Sequence, residues 1–161
     1  MIFVTIGSMF PFDRLIRYMD QWALAHPGQE VFAQIGDGSY EPKHMPWARM
    51  VTPSEFEDRV RSASLIVAHA GMGSIITAME TGKPIIVLPR RAVDREHTTD
   101  HQLHTASWLK GKPGIQVVTS DEELDRAIEL LTSATEHGEL GRLSKRAPEQ
   151  FTARIRQFLI G

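Results

Sequence analysis

No cysteine occurs among the 161 residues, which excludes disulfides, thiolate metal sites and cysteine nucleophiles. Long apolar runs are also missing, since none approaches the ~20 residues that cross a bilayer. The opening MIFVTIGSMF is apolar, but it lacks a basic flank and turns at Gly7, so a first strand is expected rather than a signal peptide. Several motifs are absent as well: HExxH, the G-x-S-x-G nucleophile elbow, GxGxxG and GxxxxGK[ST]. Acidic residues are scarce only toward the end. From Gly141 onward, five basic residues face Glu149 alone, a local balance of +4 that leaves −6 on residues 1–140 of a chain whose net charge is −2. A solvated helix face accounts for such a run, an anionic partner or membrane surface being the alternative, and nothing reads as nucleic-acid binding.

What is present is ordinary for one soluble globular domain: 42% apolar and 24% charged residues, with length enough for a proper core. One domain over residues 1–161 is expected. The chain is organised around residues 65–89, LIVAHAGMGSIITAMETGKPIIVLP. An apolar run at 65–68 leads into the turn His69-Ala70-Gly71-Met72-Gly73-Ser74, a helical pattern to Glu80, a break at 81–84 and a second apolar run at 85–88. Two buried strands joined by a helix run parallel, which places this turn at the carboxyl edge of the sheet. There a helix start directs unpaired N–H groups and the positive end of its dipole outward. Gly71 and Gly73 leave room for a ligand at the backbone, and Ser74 adds a hydroxyl. Phosphate or diphosphate suits such a turn, although glycines alone also fit a tight turn with nothing bound.

Strand and helix patterns alternate throughout. Strands are expected at 2–6, 30–35, 48–51 and 115–118, and helices at 12–25, 53–62 and 99–110. A further helix is capped by Ser120 with Glu123, and a last one begins near Pro148 with Phe151, Ile155, Phe158 and Leu159 on one face. Thr52 or Ser54 is the candidate cap of the 53–62 helix. The pattern predicts an α/β fold: a single Rossmann-like domain with a doubly wound, mostly parallel sheet of about six strands. Glycine turns at Gly7-Ser8 and at 71–74 would line one crevice from two sides.

Three motifs in order, HAGMGS, GKPIIVLPR and EHTTDHQLHTA, resemble the carboxyl-terminal, nucleotide-sugar-binding half of the GT-B glycosyltransferases of family 28. VTIGSMFPFDRLI is similar to that family's opening strand and turn, so the likeness covers nearly the whole chain. Stand-alone versions of the half are most alike: the catalytic subunit of the two-part dolichol-linked N-acetylglucosaminyltransferase, and bacterial exopolysaccharide glycosyltransferase subunits. The resemblance implies that His69, Gly71, Met72, Gly73 and Ser74 hold the diphosphate of a UDP-sugar, with uracil near residues 51–54. It places sugar-hydroxyl contacts on Asp100, His101 and Gln102, and sets Gly7 and Ser8 across the cleft. At Thr77 the sequence departs from the family, where a glutamate commonly holds the ribose; Glu80 lies one turn later.

The resemblance further implies a two-component inverting enzyme that moves a sugar from a UDP-sugar to a lipid-linked acceptor. A membrane-anchored partner subunit would carry the acceptor site and the general base, and the complex would sit at the cytoplasmic membrane face. No cofactor or metal is expected, the UDP-sugar being a substrate. A non-catalytic nucleotide-sugar-binding module is the alternative. Arg90 is a candidate phosphate ligand, with Arg91 and Arg95 beside it, because guanidinium pairs bidentately with phosphate oxygens. His97, His101 and His104, near Glu96 and Asp100, have the i, i+4, i+7 spacing of a helical metal site. Ser8 and Ser74 follow glycine but have no elbow or Ser-Asp-His order around them.

Overall fold

Six short strands alternate with helices except between the second and third, and every strand pair in the sheet is parallel. The structure is a computed structural model and describes residues 1–136. The helix expected from Pro148 and the basic run from Gly141 lie outside the described residues.

In chain order the elements are β1 (Ile2–Thr5), α1 (Asp13–Ala25), β2 (Val31–Gln34), β3 (Trp47–Ala48), α2 (Pro53–Ser62) and β4 (Leu65–His69). They continue with α3 (Met72–Glu80), β5 (Ile85–Leu88), α4 (His101–Leu109), β6 (Ile115–Val117) and α5 (Asp121–Glu136). A single 3-10 turn at Ala92–Asp94 interrupts the loop after β5. The strand order is β3-β2-β1-β4-β5-β6, so the chain winds outward in both directions from the central pair β1 and β4.

Each inner strand is apolar on both sides because helices cover both faces. Ile2, Val4 and Ile6 face a layer made by α1 and α5, where Leu15, Ile16, Met19 and Ile128 are fully enclosed. Phe3 faces the opposite layer of α2, α3 and α4, with Val60, Ile75, Ala78 and Leu109. Its ring lies 5.4 Å from that of Phe56 and 6.4 Å from that of Phe32. Each large side chain so buried stabilises the fold by roughly 1.5–3 kcal/mol. That two-sided covering leaves the carboxyl edge between β1 and β4 as the natural crevice, because α1 departs to one face and α3 to the other.

Two expectations shift. The short strand expected at 48–51 is Trp47–Ala48, fixed from outside by β2 and the residue after it: the Ala33 and Ile35 amides donate to the Pro46 and Ala48 carbonyls (3.0 Å each). Helix α4 begins at His101 rather than 99, because the Thr99 amide donates to the His97 ring (3.2 Å) instead of entering a helix.

Candidate functional site

Beside the crevice, a cleft of about 550 Å³ runs between α2 and α3. Gly7 and Ser8 line it from the turn after β1, and Ser74, Thr77 and Glu80 line it from α3, with Thr81 just past the helix end. Val51, Pro53, Phe56 and Val60 form the facing wall, so the segment expected near the base, the turn after β1 and Ser74 at the end of the second glycine turn meet in one cavity.

The start of α3 is open. Its cap is Gly71, no side chain bonds to the first turn, and no acidic residue stands there. The first N–H groups of a helix have no partner within it, so those of Met72, Gly73 and Ser74 are left for something outside the helix. A methyl group at Gly73 would meet nothing within 4 Å, and the residue is exposed. Gly71 is different. A Cβ there would collide with the Cε1 of His69, and at Gly7, whose φ is +72°, it would lie 2.8 Å from His69 Nε2. Both glycines therefore admit the imidazole, and the room expected at Gly71 for a ligand is filled by a side chain of the protein itself.

His69 ends β4 and is held from behind. Arg90 Nη1 donates to its Nδ1 at 3.1 Å, and the Gln102 side-chain amide donates to the same nitrogen at 3.3 Å. The Gln102 orientation follows from its other bond, because Oε1 accepts from the Arg90 amide (3.1 Å) and so turns the NH₂ toward the ring. An Nδ1 that accepts leaves the ring proton on Nε2. Burial, with further push from Arg90 and His97, lowers the His69 pKa to about 3, so the ring is neutral at physiological pH.

Arg90, expected among the phosphate ligands, turns inward. It is 2% exposed, its Nη2 donates to Ile6 O (2.7 Å) and Phe10 O (2.5 Å), and its guanidinium lies 5.1 Å from the Phe12 ring centroid. Burial lowers its pKa to about 10, which still leaves it charged near neutrality. Gln102, expected on sugar hydroxyls, is 3% exposed and occupied by Arg90 and His69. Glu96 takes a bidentate bond from Arg14 (2.7 and 2.8 Å) and another from the Arg91 amide (2.9 Å), which ties the loop after β5 to α1.

At the start of α4, Asp100 and His101 are exposed. Asp100 Oδ1 accepts from the Ala92 amide (2.8 Å), and His101 Nδ1 lies 2.6 Å from Thr99 Oγ1. Unlike Gln102, which is buried, both side chains are at the surface. His97 lies in the loop before α4, where its ring still meets that of His101 at 4.4 Å between centroids. Among the described residues, no three His, Asp or Glu side chains converge as a metal site. Arg91 pairs with Asp94 at 2.5 Å on the surface. Thr77 donates its hydroxyl to Gly73 O (3.0 Å), leaving oxygen lone pairs toward the cleft it lines.

Two cleft residues went unnoticed in the sequence. Thr5 and Gln34, 1% and 5% exposed, are paired in register and bonded Oγ1 to Oε1 at 3.0 Å. The signal was present as a repeat, since VTIG and AQIG each end a buried strand in a polar residue followed by Ile-Gly.

The family described as the glycosyltransferase family 28 C-terminal domain matches residues 1–157. The UDP-N-acetylglucosamine transferase subunit ALG13 of Yarrowia lipolytica is 25% identical over 126 residues, covering 68% of this chain and 60% of its own length. The subunit of the same name from Homo sapiens is 26% identical over 118 residues, 67% of this chain and 10% of its own. Among solved structures, the kitacinnamycin glycotransferase superposes with a TM-score of 0.66 at 20% identity, over 88% of this chain and 37% of that one. The calicheamicin glycosyltransferase CalG4 gives 0.62 at 18% identity, over 98% and 43%. Acinetobacter baumannii MurG gives 0.58 at 16%, over 89% and 44%, and at such identities these likenesses establish the fold, that of one half of a GT-B enzyme. With the open glycine turn, the parallel sheet and the family match all falling on the same residues, this chain belongs to glycosyltransferase family 28, whose C-terminal domain it matches.

Proposed function

We propose that the cleft between α2 and α3 is the donor site of a glycosyltransferase, and that it takes a UDP-sugar. The observation that carries this reading is the start of α3: an uncapped first turn, free of carboxylates, opening at Gly73 onto space beside a cleft of about 550 Å³. The diphosphate would accept from the Met72, Gly73 and Ser74 amides, the ribose would pass Thr77 and Glu80, and the base would rest against the Val51 and Pro53 wall. The relatives named for UDP-N-acetylglucosamine transfer support that sugar as donor.

As the glycosidic C–O bond breaks, negative charge grows on the departing diphosphate, and amides already aimed at it stabilise that charge without reorganising. A general base must remove the proton of the attacking hydroxyl. In this reading it comes from a partner subunit that also carries the acceptor site; the relatives' names, which call them subunits, support the existence of a partner. The acceptor is a lipid-linked hydroxyl, attack inverts the anomeric carbon, and the partner holds the chain at the cytoplasmic membrane face. These last points rest on the family resemblance. Among the described residues, no helix is long and apolar enough to cross a membrane.

Calorimetric titration of the chain with UDP-N-acetylglucosamine, UDP and GDP tests the site. Saturable uridine-selective binding that Gly73→Asp abolishes is expected, and no saturation at millimolar nucleotide would sink the reading. One observation favours a second reading, a binding module without catalysis: Thr77 stands where a ribose-holding carboxylate is expected, and its hydroxyl proton is already given to Gly73 O. Activity restored by adding the membrane partner separates the two.

A further inference from the structure

His69 is neutral, seated between two glycines, and contacted at one nitrogen by two donors. Those donors lie on the loop after β5 and on α4, not on β4 itself. Both are almost wholly buried, at 2% and 3% exposure, and Arg90 has no carboxylate of its own among the described ion pairs. The nearby Glu96 is engaged by Arg14. A buried guanidinium is an expensive group to place behind an imidazole if its only task is to fill space. A carboxylate behind a histidine makes the ring more basic, whereas a cation there does the reverse and sharpens the opposite N–H as a donor.

We propose that Arg90 and Gln102 are positioning residues that act through His69, locking the ring proton onto Nε2 and aiming that N–H, at the crevice between Gly7 and Gly71, toward an anionic diphosphate. The inference rests on the donor reading above and deepens it. It reassigns Gln102 and Arg90 from ligand contact to control of a tautomer. The groups that face the ring are Arg90 from the loop after β5 and His97 from the loop before α4, with Gln102 from α4. Beyond them lie Glu96, bonded to Arg14, and His101, beside His97. The turn after β1 and the first turn of α3 bring no acidic group.

The test is ¹⁵N spectroscopy of the imidazole rings in the full chain, with affinity for UDP-N-acetylglucosamine measured between about pH 5 and 8, where an ordinary histidine titrates. A UDP-sugar is the probe because both its phosphates are esterified and keep their charge, while the terminal phosphate of UDP titrates at about pH 6. In the wild-type chain His69 should carry its proton on Nε2 throughout, its Nε2 signal should shift on adding the UDP-sugar, and affinity should be flat with pH. Gln102→Glu sets a carboxylate at Nδ1 with little change of shape. The ring should then titrate within the range, and affinity should fall at least about tenfold as pH rises and Nε2 loses its proton. Gln102→Leu keeps Arg90 in place, so its profile should stay flat. A wild-type ring protonated on Nδ1, or titrating near its usual value, overturns the inference. So does a Gln102→Glu variant that loses affinity equally at every pH, since a purely structural role predicts that. A wild-type chain with the Nε2–H signature but no saturable response to the UDP-sugar overturns the donor reading instead, and removes the ligand role of His69 with it.

Discussion

Helices α2 and α3 flank the same cleft and both start at the carboxyl edge, yet their first turns are finished in opposite ways. Thr52 accepts from the Glu55 amide (3.3 Å) while Glu55 accepts from the Thr52 amide (2.8 Å), a closed capping box. Helix α5 is closed similarly, with Ser120 and Thr119 bonded to Glu123 and three acids in its first turn. Helix α3 has a glycine cap and no acid. A helix start that the chain seals with its own oxygens serves the fold; one left open keeps its positive end for an external anion.

Gly73→Asp breaks the contrast most sharply. It gives α3 the carboxylate that α2 already has, so we expect UDP-sugar affinity to fall at least about 100-fold, roughly 2.7 kcal/mol. Thermal stability should hold or rise by about 0.3–1 kcal/mol from the helix dipole. Calorimetry and a melting curve on one sample check both signs. Gly71→Ala, two residues away, should act by another route. Its methyl group enters the His69 ring, so stability should drop by about 1–3 kcal/mol and binding should weaken with it, as denaturant titration would reveal. If Gly71→Ala proved as stable as Gly73→Ala, the packing account of that glycine would be wrong.

Thr77→Glu sharpens the comparison from the side of the ligand. It places a carboxylate within the cleft wall, and about tenfold tighter UDP-sugar binding is expected if the ribose passes there. An unchanged dissociation constant would move the ribose elsewhere. The smallest effect belongs to α2. Thr52→Ala removes a cap and should cost about 0.5–2 kcal/mol while leaving UDP-sugar affinity within about twofold. The bonds from Thr52 hold the Glu55 carboxyl below its usual pKa. Its contribution is therefore complete above about pH 4.3, the unfolded value, and is lost as pH falls through the lower folded value. Thr52→Ala removes the hydroxyl bond to Glu55 but keeps the backbone amide bond, so it should shrink that acid limb of the stability profile without abolishing it.

Much of this was legible locally. The 53–62 helix and its Thr52 cap, the 85–88 strand and the open glycine turn all follow from spacing, caps and glycines within a few residues. The β3 strand was misplaced because two residues at a sheet edge form a strand only by pairing with β2. The histidines at 97, 101 and 104 have helical spacing, but spacing does not reveal where a helix starts, and His97 lies in the loop before α4. Guanidinium chemistry points Arg90 at phosphate and the family resemblance places Gln102 on sugar hydroxyls, because neither residue type nor motif reveals which side chains burial turns inward.

The sequence by itself determined the alternation of parallel strands and helices, the placing of a glycine turn at a carboxyl edge, and which helix starts carry their own caps. Those properties depend on neighbours along the chain. The tertiary structure alone decided that β1 and β4 meet at the centre, and that Arg90 folds inward onto an Ile6 carbonyl 84 residues away. It also decided that Gln102 reaches a histidine 33 residues earlier. The physical reason is burial: a buried guanidinium or amide is tolerable only where distant backbone and ring atoms accept its protons, and only the folded chain assembles those acceptors.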